Sequence, residues 1–208
     1  MIYDITPGIT SNLAVWPGDT PPSREVLLDM ATGGNLTLST LRSTVHLGAH
    51  ADGPNHYGLN APSIDQRDLS YYLGPVQVVH VSIGNGQRIS IRHLPPVIAA
   101  ERLLLATGTY EHSKAFQKDF AAIEPSLIEH LGRQQIRLVG IDTPSVDLYE
   151  SKDLPAHRAI LKYDMAILEG LDLSAVPNGI YELIALPLKL VGFDASPVRA
   201  ILRTLPTN

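Results

Sequence analysis

The sequence predicts a single α/β domain in which a mixed, partly barrel-like β-sheet carries short helices on its outside. Three observations support this fold class. A chain of 208 residues fits one compact core. Sixteen prolines and sixteen glycines are spread along the chain and divide it into short segments. Most of these segments have the composition of strands, and two helical segments lie among them. We therefore assign residues 1–208 to one domain.

Nine segments have the length and composition of strands. Each is rich in Val, Ile, Leu and Thr, and turn residues separate it from the next. The predicted strands are Ile2–Thr6, Arg24–Met30, Leu36–Thr44, Val76–Ile83, Arg102–Thr107, Ile136–Asp142, Ala166–Glu169, Tyr181–Leu190 and Val198–Thr204.

Two segments have the features of short helices. The first opens with Glu124-Pro125-Ser126, where proline suits the first helical turn, and it stops at Gly132, which can adopt a left-handed cap. The second begins near Pro155 and ends at Lys162, a cation at the negative end of the helix dipole. This second helix places His157 in its first turn.

Composition and charge limit the classes of partner. The net charge is −5, and Lys and Arg are scattered singly, so no cationic surface suits nucleic acid. The apolar runs are too short to cross a bilayer, and the chain begins at Met1 without a basic or apolar leader. We therefore expect a cytoplasmic protein that acts on a small molecule, without a nucleic-acid or membrane partner.

The sequence has no cysteine and eight histidines. Disulfides, thiolate nucleophiles and thiolate metal sites are therefore excluded together. Any metal ion must be bound by imidazole and carboxylate groups, which suit zinc or manganese better than calcium.

Four potential ligands or bases lie close together in the sequence. His46, His50, Asp52 and His56 follow the spacing His-x3-His-x-Asp-x3-His. Such a group of imidazoles around a carboxylate is typical of a metal or catalytic site. The alternative is that these residues are ordinary polar side chains of a turn, hydrogen-bonded to the backbone.

The residues between these four argue against a helix. Gly48, Gly53 and Pro54 all disfavour a continuous helix through the segment. We therefore expect the end of a strand that runs into a tight loop, because such a loop lets the backbone wind closely around an ion.

This cluster resembles the His-x-Gly-Thr/Ala-His-x-Asp-x-Pro-x-His signature of the metal-dependent cyclase-type hydrolases, and among them the bacterial kynurenine formamidases, or arylformamidases. The resemblance extends in order along most of the chain. Further segments that are similar to this family are Val15–Pro21, Gly140–Asp147, Leu154–His157, Ile167–Gly170 and Ala185–Lys189.

The resemblance implies a metal site beyond the cluster itself. His46, His50 and Asp52 would hold one divalent ion, and Asp52 would bridge to a second ion held by His157, with Glu169 contacting both. Two ions per subunit are implied, zinc or alternatively manganese. From the residues alone, a histidine in a first helical turn is more often a surface residue, and a glutamate after Ala-Ile-Leu is more often the solvated end of a strand.

Two further roles follow from the resemblance. His56 would act as the general acid and base, whereas the residues alone leave open that it is a third ligand of the first ion. Trp16, the only tryptophan, would form an aromatic wall for the ring of the substrate. The alternative for Trp16 is a core aromatic, because large aromatic residues are usually well buried whatever their role.

The implied activity is hydrolysis of N-formyl-L-kynurenine to L-kynurenine and formate by a hydroxide activated between two metal ions, a step of tryptophan degradation through the kynurenine pathway. The resemblance also implies a swivelling β/β/α fold and a homodimer or higher homo-oligomer. One alternative is another aryl or cyclic amide hydrolase of this family, such as one that opens isatin. Another is a non-catalytic metal-binding module.

Gly53 and Asn55 depart from the Ala and the apolar residue expected at these positions of the signature. Asn55 would alter the acyl group or ring that fits if its side chain points into the pocket.

Overall fold

The chain alternates between short strands and turns. The structure, a computed structural model, describes residues 1–112 and 115–205. Within these residues the α-helices are α1 (Pro125–Arg133) and α2 (Pro155–Lys162). The 3-10 helices span Met30–Thr32, Pro54–His56, Ile64–Gln66, Leu69–Tyr71 and Ile91–His93. The strands are β1 (Ile2–Asp4), β2 (Ser23–Leu28), β3 (Leu38–Arg42), β4 (His50–Asp52), β5 (Leu73–His80), β6 (Arg88–Ile89), β7 (Arg102–Ala106), β8 (Ala122–Ile123), β9 (Leu138–Ile141), β10 (Ala166–Glu169), β11 (Gly179–Ile184), β12 (Ala195–Pro197) and β13 (Ile201–Thr204).

The main sheet is mixed. Among the described residues it has nine strands in the order β1-β13-β11-β5-β7-β9-β10-β4-β12. The four central strands β5, β7, β9 and β10 are parallel, and the strands on either side pair antiparallel. The sheet curls into a half-barrel, which confirms the predicted α/β class with a partly barrel-like sheet. Strands β6 and β8 form a separate parallel pair.

The two faces of the sheet bury different cores. Leu104 and Leu168 point into the core inside the curl. Leu103 and Ile167 point to the opposite face, where α1 and α2 cover them with residues such as Ile160. The alternation follows from the two-residue period of a strand. Because α2 packs on this second face, it can deliver a side chain from its first turn to the edge of the sheet.

Strands β2 (Ser23–Leu28) and β3 (Leu38–Arg42) form an antiparallel hairpin outside both cores, the hairpin β2–β3. Every residue of the two strands is exposed, including apolar side chains such as Leu27, Leu28 and Leu41. Exposed apolar side chains in such a concentration mark interaction surfaces rather than ordinary protein surface.

Several boundaries differ from the predictions. Helix α2 and strand β10 have the predicted bounds, but the predicted strand Tyr181–Leu190 ends at Ile184. Its continuation was wrong because Pro187 has no N–H for a ladder, and the next amide, that of Leu188, donates to the Ser196 hydroxyl at 2.8 Å. Strands β4, β6, β8 and β12 were not predicted. No helix in the described part of the chain has the length and apolar character needed to cross a membrane.

Candidate metal centre

Strands β4 and β10 place three ligand-type side chains on one face of the sheet. His50 and Asp52 are two residues apart on β4, and Glu169 pairs directly with His50 across the ladder. Residues in these positions point to the same side of a sheet. The three residues are only 4%, 2% and 3% exposed, respectively. His50 Nε2 lies 3.6 Å from Asp52 Oδ1 and 3.3 Å from Glu169 Oε2.

Helix α2 contributes the fourth buried side chain. Pro155 occupies the first turn of this helix, as predicted, and His157 follows it with 3% exposure. Its Nε2 lies 3.5 Å from Asp52 Oδ2 and 3.6 Å from Glu169 Oε1. His157 and Glu169 are therefore buried rather than surface residues. The Nε2 atom of His157 lies between the carboxylates of Asp52 and Glu169.

His46 and His56 lie at the more open side of the same carboxylate. His46 Nδ1 is 3.1 Å from Asp52 Oδ1, and the rings of His46 and His56 are 4.3 Å apart. The side chain of His46 is 19% exposed and that of His56 is 35% exposed. The structure thus brings together the six residues predicted for the metal ions and the acid-base step, whose individual roles remain predictions.

The local backbone differs from the predicted strand that runs into a loop. His46 precedes β4 in a bend, and Gly48 there has φ 54°, a value that favours glycine. The short strand then leads into the 3-10 turn Pro54–His56, where Pro54 provides the first residue. The cluster therefore spans a bend, a strand and a turn.

The donor atoms have the properties of a metal site. His50 Nε2 and both carboxylate oxygens of Asp52 are buried and make no hydrogen bond within the described residues, although ring nitrogens lie at ion-pair distances. An unsatisfied buried polar atom costs about 1–3 kcal/mol, so these atoms favour a ligand that accepts their lone pairs. Among the described residues, two groups of three side chains could each hold an ion. Within each group the donor atoms lie within 4.8 Å of one another; the groups are His46, Asp52 and His56, and His50, Asp52 and Glu169.

Asp52 belongs to both groups, so the two donor groups share this carboxylate. The resemblance placed His46 and His50 on one ion, whereas the distances group His46 with His56 and His50 with Glu169. His56 as a ligand therefore stays open beside His56 as the acid-base group.

Electrostatics couple these side chains strongly. Burial raises the pKa of the Asp52 carboxyl, but the facing imidazoles of His157 and His46 outweigh burial and hold it well below its usual range. Burial lowers the pKa of His157, yet Asp147 and Asp52 raise it overall to about 10. His46 behaves likewise, since contacts with Asp52 and Asp194 raise its pKa to about 9 against burial. Protons thus occupy the positions for which metal ions compete.

Backbone groups fix the orientation of two donors. His50 Nδ1 donates to the Gly48 carbonyl at 2.8 Å, which directs Nε2 towards the carboxylates. The Val146 amide donates to Glu169 Oε1 at 2.7 Å. Gly170, with φ 64°, follows Glu169, and a Cβ there would lie 2.2 Å from the Gly48 oxygen. Only glycine lets the two backbone segments approach this closely.

A pocket of about 460 Å³ opens over the centre. Its lining includes the ligand-type side chains of His50, His56, His157 and Glu169 and the aromatic side chains of Trp16, Tyr110 and Phe116. Trp16 is half-buried, and its ring packs 5.3 Å from Phe116 and 5.0 Å from Tyr149. Trp16 therefore faces the pocket and is also held by neighbouring aromatic rings, and its role in substrate binding remains a prediction.

Asn55 does not line this pocket. Its Oδ1 is buried and would lie 2.7 Å from a Cβ at position 53. The condition under which Asn55 would alter the group that fits, a side chain that points into the pocket, is therefore not met. The two departures from the signature are linked, because Gly53 provides the space that the Asn55 side chain occupies.

Two aspartates in contact with the histidines were missed by the sequence reasoning. Asp194 Oδ2 lies 3.0 Å from His46 Nε2 and 3.3 Å from His56 Nδ1, and Asp147 Oδ2 lies 2.9 Å from His157 Nδ1. No local pattern identifies Asp194, which is 148 positions from His46. Asp147 lies in one of the segments similar to the family, but that segment gave no role for it.

Comparisons with known proteins show which family and which solved structures the chain resembles. Residues 3–148, more than half of the chain, match the Cyclase family, described as putative cyclase. A solved structure described as "potential metal-dependent hydrolase with cyclase activity" is 29% identical over 97% of this chain and 96% of its own, with a TM-score of 0.83. A predicted metal-dependent hydrolase from Bacillus stearothermophilus is also 29% identical, over 97% of each chain, with a TM-score of 0.81.

The fold extends to more distant structures. Isatin hydrolase A from Ralstonia solanacearum is 20% identical over 97% of this chain and 91% of its own, with a TM-score of 0.81, a likeness of fold. The match over residues 3–148 and the shared architecture lead to one conclusion: the chain belongs to the putative cyclase family.

Proposed function

We propose that the protein is a metal-dependent hydrolase that cleaves a linear amide beside an aromatic ring, with N-formyl-L-kynurenine as substrate and L-kynurenine and formate as products. One observation carries the proposal: buried imidazole and carboxylate donors and a cluster of aromatic side chains line the same pocket. The two structures at 29% identity, both described as metal-dependent hydrolases, support the reaction class. The choice of substrate rests on the sequence resemblance.

The donor set suits two divalent ions, zinc or manganese, because it combines imidazoles with carboxylates and the chain has no thiolate. His46, His50, Asp52, His157 and Glu169 would hold them. Such ions polarise a carbonyl and lower the pKa of a coordinated water from about 15.7 to near 7.

His56 is placed to move the proton in this reaction. Its Nδ1 lies 3.3 Å from Asp194 Oδ2, so the carboxylate favours the ring form in which Nδ1 carries the hydrogen. Nε2 is then free to accept a proton released by the attacking water and to pass it to the departing amine nitrogen. The 35% exposure of this side chain leaves it able to reach the substrate.

Trp16 is placed to hold the aromatic part of the substrate. With Tyr110 and Phe116 it forms an aromatic wall of the pocket that the donors also line. Offset or edge contacts with such rings add about 0.5–1.5 kcal/mol to the burial of an aromatic ligand. The wall would orient the amide towards Asp52 and Glu169.

The proposal is tested by following kynurenine absorbance during incubation with N-formyl-L-kynurenine. The protein is assayed as purified, after chelation, and after zinc or manganese is restored, with isatin as a parallel substrate. We expect turnover of the formamide that is lost on chelation and regained with metal. Turnover of isatin without turnover of the formamide would show that N-formyl-L-kynurenine is not the substrate. Turnover that is unaffected by complete metal removal would overturn the metal mechanism.

We also propose that the protein is a homodimer or larger homo-oligomer. The exposed apolar hairpin β2–β3 supports this, because closed homo-oligomers are the commonest way in which such surfaces are covered. Light scattering coupled to size exclusion would give the number of chains. A monomer at micromolar concentration would contradict the proposal.

A further inference from the structure

Asp147 is a fully buried carboxylate that the proposed reaction does not use. It lies in the segment that connects β9 to α2, and both of its carboxylate oxygens accept hydrogen bonds. Its Oδ2 accepts from the backbone amides of Ala156 and His157, each at 3.1 Å, and from His157 Nδ1 at 2.9 Å. Its Oδ1 lies 3.2 Å from both Arg88 Nη1 and the Ala156 amide.

We propose that Asp147 is a positioning residue that fixes the ring of His157 so that Nε2 faces Asp52 and Glu169. The inference rests on the proposed metal-dependent function, because it assigns Nε2 to a metal ion. The geometry supports it directly. While Nδ1 of the His157 ring is hydrogen-bonded to Asp147, Nε2 of the same ring lies 3.5 Å from Asp52 Oδ2 and 3.6 Å from Glu169 Oε1.

The physical argument concerns the two nitrogens of one imidazole. A neutral imidazole carries hydrogen on one nitrogen and a lone pair on the other. A carboxylate at Nδ1 keeps the hydrogen there and leaves the lone pair on Nε2 for a metal ion. The two backbone hydrogen bonds to α2 hold the carboxylate and the helix in one fixed arrangement.

An amide replaces this carboxylate poorly while Arg88 is present, because donors face both oxygens of Asp147. In Asp147→Asn, the single oxygen faces either His157 and the helix amides or Arg88, and the NH2 group then meets a donor on the other side. If the oxygen turns to Arg88, the NH2 group favours a hydrogen on Nε2 of His157, which blocks the metal position. Removing the Arg88 donors frees the oxygen to return to His157.

The experiment measures Zn²⁺ affinity by competition with a chromophoric chelator for the wild type, Asp147→Asn, Arg88→Met and the double variant. We expect Asp147→Asn to weaken the binding of one Zn²⁺ about 10–100-fold, the range for a lost partner of a ligating histidine. Arg88→Met alone should change the affinity much less, and the double variant should regain most of the loss. Thermal unfolding of each metal-free variant records the separate effect on folding.

A merely structural role predicts the opposite pattern, in which the double variant is the least stable and has no better affinity than Asp147→Asn. That result, or an unchanged affinity in Asp147→Asn, would overturn the inference and leave the proposed function intact. A wild type that binds no Zn²⁺ would overturn the proposed function and this inference together. A double variant with restored affinity supports both.

Discussion

The floor and the rim of the candidate metal centre are built differently. The floor residues are buried and lie on strands and at a helix start, and their donors converge on one carboxylate; they are His50, Asp52, His157 and Glu169. The rim residues are more exposed and lie outside the regular strands and α-helices; they are Trp16, His46, His56 and Asp194. Buried charges require fixed partners, whereas exposed side chains can follow a substrate. We propose that the floor binds the ions together with His46, whereas Trp16 and His56 at the rim handle the substrate and the proton.

The largest effect is expected at the centre of the floor. Asp52→Asn keeps the size of the side chain but removes the charge that faces His46, His50 and His157. We expect loss of bound metal and a fall in kcat beyond the roughly 10²–10⁴-fold contribution of one acid-base group. Metal content and kcat are measured beside Asp119→Asn, the same change on the exposed surface. An Asp52→Asn protein with a full complement of metal would contradict the role of the floor.

A change at the rim should separate turnover from metal binding. His56→Asn should lower kcat by about 10²–10⁴-fold while the metal content stays that of the wild type, because only proton transfer is lost. Metal analysis and steady-state kinetics on the same sample decide the point. If one ion per chain is lost with the activity, His56 is a ligand, as its grouping with His46 and Asp52 permits.

The floor should also tolerate little change in its backbone. Gly170→Ala places a Cβ against the Gly48 oxygen at a positive φ, so we expect the free energy of unfolding to fall by about 2–4 kcal/mol. The matched control is Gly192→Ala, which has φ 80° but no atom within 4 Å of the new Cβ, and it should cost only about 1 kcal/mol. Urea denaturation measures both. Equal losses in the two variants would show that the close approach to Gly48 is unimportant.

The smallest effect is expected at the aromatic wall. Trp16→Leu should raise KM about threefold to tenfold with little change in kcat, which corresponds to the 0.5–1.5 kcal/mol of an aromatic contact. Steady-state kinetics and thermal unfolding of Trp16→Leu are compared with those of the wild type. An unchanged KM with a large loss of stability would make Trp16 a core aromatic, held by Phe116 and Tyr149.

The sequence predicts those parts of the fold whose signals are local. Helix α2 has its predicted bounds because Pro155 suits a first turn and Lys162 suits a last one. Strand β10 begins with the apolar run Ala166–Leu168 and ends at Glu169, directly before Gly170. Strand β4 was missed because His50 and Asp52 give it no apolar pattern, although its neighbours in the sheet determine its conformation.

The same distinction applies to the site. The spacing of His46, His50, Asp52 and His56 is visible in the sequence, and the structure places them together. His157 and Glu169 entered only through the resemblance. Asp194 reaches His46 and His56 from a distant part of the chain, and this contact depends on the sheet order that brings β12 beside β4. No residue pattern near Asp194 gives that order.

Calorimetric titration of the metal-free wild type with Zn²⁺ is the sharpest test of a metal centre at Asp52. We expect two ions per chain, with protons released on binding because raised pKa values keep His46 and His157 protonated in the metal-free protein. Absence of Zn²⁺ binding by folded protein, together with the same result for Mn²⁺, would contradict a metal centre at Asp52.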